Sequence, residues 1–176
     1  MNAVSLLRDQ LNQSYQFLEM TLNDVTAEQA HWAPPGKANP LGATLAHLAL
    51  GEDAFVNGML KGSAPLAAGG WADKTGISEP PPPPFPPKPW DLWGRSVRVD
   101  LDALRRYAGA VHAATGEYLA SLTPADLTGG VDLSAVGLGQ QTLAWVISNG
   151  VIGHRLSHWG EIACLKGLQG AKGFPF

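Results

Sequence analysis

The sequence predicts an all-α protein whose simplest packing is a four-helix bundle. Two observations carry this. Four long segments repeat apolar residues at helical spacing, and almost no stretch alternates as a strand would. The first segment is Ala3 to Asn23, where Leu7, Leu11, Leu18 and Leu22 form one stripe with Ser14 in its gap. A turn follows at Asp24-Val25-Thr26. Thr26 and Gln29 fit a capping box, so a short helical turn is expected there.

The second helix is expected from Asn39-Pro40, with Asn39 as N-cap and Pro40 at the first helical position, to Lys61-Gly62. Leu41, Leu45, Leu48, Phe55 and Met59 give it a bulky face. Ala43, Ala46, His47, Leu50, Gly51 and Ala54 give it a neighbouring face of mostly small residues. The third helix is expected from Trp93 to Ser121, on a stripe of Val97, Leu101, Leu104, Ala108, Val111, Thr115 and Leu119, with Pro124 marking its end. A Gly-rich stretch, Thr128 to Gly139, reads as a loop or a short extended piece. The fourth helix is expected from Gln141-Thr142 to Lys166-Gly167, about 39 Å long at the usual rise. Thr44-Leu45-Ala46-His47 and Thr142-Leu143-Ala144-Trp145 form a faint internal repeat.

Between the second and third helices, residues 63–92 form a long connection. Eight of the 14 prolines lie between Pro80 and Pro89, and Pro80 to Pro84 reads as a polyproline II segment. It is either a semi-rigid spacer across the end of the bundle, the favoured reading, or a PxxP-type ligand for a partner domain. Trp71, Phe85, Trp90 and Trp93 are expected to pack the connection on the body. The 176 residues are read as one domain with this insertion.

Composition narrows the function classes. No apolar run is long enough to cross a membrane, and Arg8 and Asp9 lie where a signal peptide needs an apolar stretch. The single cysteine, Cys164, excludes an internal disulfide and any CxxC motif, and it reads as a buried small hydrophobe. A cytoplasmic location is therefore expected. A formal charge of −3 and a pI near 5.9 argue against nucleic acid and an anionic membrane surface as partners. Low charge with six tryptophans predicts a homodimer.

The chemistry-bearing residues are histidines. His154 and His158 are spaced i, i+4, so they share one face of a helix and can aim nitrogens at one ion. They lie in the stripe Ile147, Val151, Ile162, Leu165, which faces the core. Imidazoles there need partners, either a metal or ordinary hydrogen bonds. His47, on the small-residue face of the second helix, favours the metal. Three histidines with an open fourth position is the pattern of a reactive zinc-type site. His31 and His112 read as surface or packing residues.

Thr44-Leu45-Ala46-His47-Leu48-Ala49, followed late in the chain by His154-x3-His158-Trp-Gly-Glu-Ile, resembles the DinB/YfiT-like superfamily. The segment from Glu28 to Gly36 and the ending Leu165 to Pro175 add to the likeness, which covers most of the chain outside the proline-rich insertion. The resemblance implies a four-helix bundle of up-up-down-down type. It implies a zinc or nickel ion on His47, His154 and His158. It also implies thiol-dependent S-transferase, hydrolase or isomerase chemistry on a small-molecule substrate, with a low-molecular-weight thiol as cosubstrate.

A dipositive ion held by three neutral imidazoles would activate a water or a thiol. Glu161, three residues past His158, and Glu52, five past His47, are the candidate catalytic carboxylates. Each would orient a ligand imidazole or move a proton, or else is a surface carboxylate. Three classes of function follow: a metal-dependent transferase or hydrolase, a non-catalytic metal-binding or stress-response bundle, and a structural bundle acting through its proline-rich loop.

Overall fold

A computed structural model describes residues 2–82 and 90–176, so Pro83, Pro84 and Phe85 of the proline-rich connection lie outside the described residues. Helix α1 spans Ala3–Leu22 and begins with a reciprocal cap. Asn2 Oδ1 accepts from the Ser5 N–H, and Ser5 Oγ accepts from the Asn2 N–H, both at 2.9 Å. The expected stripe is buried throughout, and Ser14 satisfies its hydroxyl on the Leu11 carbonyl at 2.7 Å. Helix α2, Ala27–His31, carries the expected Thr26–Gln29 capping box.

Helix α3 spans Leu41–Glu52 and continues as a π-helical turn, Asp53–Leu60. It starts one residue later than expected. Pro40 is the N-cap, and among the described residues Asn39 Oδ1 is buried without a partner. The bulky face also breaks. Leu41, Leu45 and Leu48 are buried, but Met59 is exposed, and Asp53, Val56 and Asn57 turn inward instead. The wider π winding advances each residue through a smaller angle, so a 3.6-residue stripe drifts out of register. Fully buried Asp53 anchors the chain that follows. Its carboxyl group accepts hydrogen bonds from Leu66 N–H (2.8 Å), Ala67 N–H (2.9 Å), Asn57 Nδ2 (2.8 Å) and Tyr107 OH (2.6 Å).

The expected third helix is two. Helix α4, Trp90–Ser96, and α5, Leu101–Ser121, are separated by an extended piece from Val97 to Asp100. Partners distant in sequence hold it open. Val99 bridges Ile77, the Val99 N–H donates to His31 Nε2 at 3.0 Å, and the Asp100 N–H donates to the Gly76 carbonyl at 2.8 Å. Asp100 then caps α5 through Oδ1 to the Ala103 N–H at 3.0 Å. Gly76 has φ +72° and its missing Cβ would strike the Asp100 carbonyl, so glycine is required there. Trp93 is buried, and Trp71 and Trp90 are partly buried against the core.

The Gly-rich stretch resolves into a hairpin, β1 (Gly130–Leu133) paired antiparallel with β2 (Gly139–Thr142), Val131 opposite Gln141. The last helical run begins with α6 (Leu143–Trp145), passes through a second π-helical turn (Val146–Gly153), and ends in α7 (His154–Leu168). Cys164 is exposed, not buried as expected. It lies two residues past fully buried Ile162, about 200° around the helix.

The architecture is thus mostly helical. Helix α1 packs on α5 and α7, and α3 packs on α5 and α7. Phe55 meets Gly150 while His47 meets His154 and His158, so α3 and α7 run antiparallel. Among the described residues no helix is long and apolar enough to cross a membrane.

Candidate metal centre

The antiparallel α3–α7 contact brings His47, His154 and His158 together. One ring nitrogen from each lies within 4.8 Å of the others. His47 Nε2 is 3.2 Å from His154 Nε2, and the ring centroids are 4.6–5.1 Å apart. Ligands at ~2.0–2.1 Å from a tetrahedral ion would be about 3.3 Å apart, so this spacing fits such an ion. Buried Ala43 lies one turn before His47 on α3. A π-helical turn ends at Gly153, directly before His154, and another starts at Asp53, six residues past His47. Such turns commonly mark functional sites because they re-aim side chains.

The electrostatics suit metal ligation. Burial lowers the pKa of His47, with His158 adding to the effect and Glu161 opposing it. Burial lowers His154 to about 4, helped by His158, His47 and Arg155. Both rings are therefore neutral at pH 7, the form a metal binds. Glu161 Oε2 lies 2.7 Å from His158 Nδ1, and that hydrogen bond is the main reason its carboxyl pKa falls. Accepting from Nδ1–H leaves the His158 Nε2 lone pair free. Trp90 packs its ring against His47 in a T-shaped contact at 5.3 Å.

Glu52 is placed differently. One oxygen accepts from Thr115 Oγ1 at 2.7 Å, and the other pairs with buried Arg155. Among the described residues its hydrogen bonds go to these two groups and not to an imidazole. Arg155 also lies over the Tyr15 ring and 3.4 Å from His112 Nδ1, and Tyr15 stacks on His112 at 4.2 Å. Burial, with Arg155 beside it, lowers His112 to about 4. His31 is a packing residue, with Nδ1 on the Ala27 carbonyl and Nε2 on the Val99 N–H.

The profile of the DinB superfamily matches residues 10–162, a span that includes all three histidines and Glu161. The chain belongs to the DinB superfamily. This DinB-superfamily chain is also similar to the crystal structure of a conserved protein from Enterococcus faecalis. They share 21% identity and a TM-score of 0.78, over 96% of this chain and 97% of that one. That likeness shows the fold. None of the curated proteins compared with the chain matches it.

Sequence reasoning missed Arg155 and Asp53, and it placed Trp90 on the body without placing it against His47. Arg155 carried a usable signal, since it stands four residues past Val151, on the edge of the apolar stripe, where a charge demands a partner. Trp90 and Asp53 act through contacts with distant segments that spacing does not show.

Proposed function

We propose that this DinB-superfamily protein holds one divalent ion, zinc or nickel, on His47, His154 and His158 and uses it in chemistry on a small molecule. The reaction class we favour is thiol-linked S-transfer or hydrolysis. The observation that carries the reading is the convergence of three imidazoles, two of them with lowered pKa values, from two antiparallel helices. An ion with three neutral ligands and an open position lowers the pKa of water towards ~7 and deprotonates a thiol.

The chain's own residues set up that site. Glu161 fixes the His158 ring and its tautomer. Glu52, Arg155 and Thr115 tie α3, α7 and α5 together beside His154, which holds the ligand-bearing helices in register. Glu161 is thus a positioning residue, and Glu52 acts through Arg155. Trp90 shields one side of His47 from water. The helix packing supports the four-helix-bundle reading.

The experiment is a conjugation screen of metal-loaded protein with glutathione, coenzyme A, bacillithiol and mycothiol against electrophiles, alongside hydrolysis assays. Turnover lost in His154→Ala supports the enzyme. Stoichiometric metal without turnover across the screen favours a bundle whose ion has no catalytic role.

A further inference from the structure

A cavity of about 470 Å³ opens beside the histidines, along the same α3–α7 contact. His154 is its shared wall with the candidate metal centre. From there it runs one helical turn further, between Gly51 and Phe55 on the α3 side and Gly150 on the other. Leu133 and Leu138 of the hairpin and Trp145 form its outer walls. The volume suits a small-molecule ligand. Its charged lining groups, Glu52 and Arg155, are paired with each other, so among the described residues the cavity offers a substrate no unpaired charge. A charged group entering it would be desolvated without a counter-ion. Leu138 is 48% exposed, which leaves apolar surface at the mouth.

We propose that this cavity is the substrate subsite of the metal centre, and that it takes an uncharged alkyl or aryl group attached close to the reacting atom. The substrate class is therefore a small molecule with an apolar body and a single metal-directed head. This assignment rests on the metal reading for the head group and on the cavity for the body, and the two are tested apart. Gly51 is the handle. It lines the cavity, a Cβ built there has nothing within 4 Å among the described residues, and leucine is a better helix former than glycine. Gly51→Leu therefore fills the space without disturbing the fold.

The test is calorimetric titration of the zinc-loaded protein with ethanethiol, propanethiol, butanethiol and benzylthiol. Each added methylene that enters the cavity should tighten binding about fourfold, so butanethiol should bind about 15-fold tighter than ethanethiol. In Gly51→Leu that ratio should fall to near one. Leu138→Asp, a change at an exposed position, should reduce it as well. A flat series in wild type, or a ratio unchanged in both variants, overturns the proposal. Toluene titrated into metal-free protein separates the two readings. Binding that Gly51→Leu abolishes supports the cavity even if zinc does not bind. Toluene binding that is absent, or indifferent to Gly51→Leu, overturns the cavity even if zinc does bind.

Discussion

Removing the Glu161 carboxylate tests the link between hydrogen bonding and metal affinity. Its oxygen lies 2.7 Å from His158 Nδ1. A carboxylate there contributes in two ways: it accepts the Nδ1–H, which fixes the tautomer, and its charge makes the ring a better donor to the ion. Losing such a partner typically costs about 10–100-fold in metal affinity. The side chains of His158 and Glu161 are 26% and 36% exposed, so solvent screens part of the charge effect. Glu161→Gln keeps an acceptor oxygen and loses only the charge, so about tenfold weaker zinc binding is expected, equivalent to about 1.4 kcal/mol. Glu161→Ala loses both and should approach 100-fold. Competition against a chromogenic chelator at pH 7 measures each affinity. The reasoning is refuted if both variants bind zinc as tightly as wild type while His158→Ala does not.

Three further outcomes are expected. Burial holds His112 neutral in the folded chain with its pKa about 4, against 6.5 for an exposed imidazole. Protonation thus favours unfolding, so the contribution is intact above about pH 6.5 and is lost progressively as pH falls towards 4. Thermal melts of metal-free protein should show this fall, to which His47 and His154 also contribute, and His112→Phe, which keeps the stack on Tyr15, should make it shallower; parallel curves would contradict it. Asp53→Ala orphans the Tyr107 hydroxyl and the N–H groups of Leu66 and Ala67, and should cost about 3–5 kcal/mol in urea unfolding, whereas a loss under about 1 kcal/mol would mean water replaces the carboxyl. Light scattering at micromolar concentration should read a homodimer, and a monomer throughout would reject that expectation.

Much of the fold was legible because its determinants are local. The Thr26–Gln29 capping box and the α1 stripe depend on residues three or four apart. The i, i+4 histidines were legible for the same reason. The break at Val97–Asp100 was not, because Ile77, Gly76 and His31 hold it open from more than 20 residues away. The π-helical turns were equally hidden, since residue spacing alone does not distinguish them from α-helix. Angular position separates the two carboxylates. At 100° per residue, Glu161 lies 60° from His158 and reaches its ring, whereas Glu52 lies 140° from His47 and turns to Arg155. Counting degrees rather than residues would have told them apart.

The central claim is that three histidines hold a metal ion. Elemental analysis of protein purified without a His-tag tests it most directly, on wild type and on His47→Ala and His158→Ala. Wild type should carry about one zinc or nickel per chain, and each variant should carry far less after the same purification, because each loses one of three ligands. Wild type free of metal even after incubation with zinc, or variants that retain as much metal as wild type, would contradict the account.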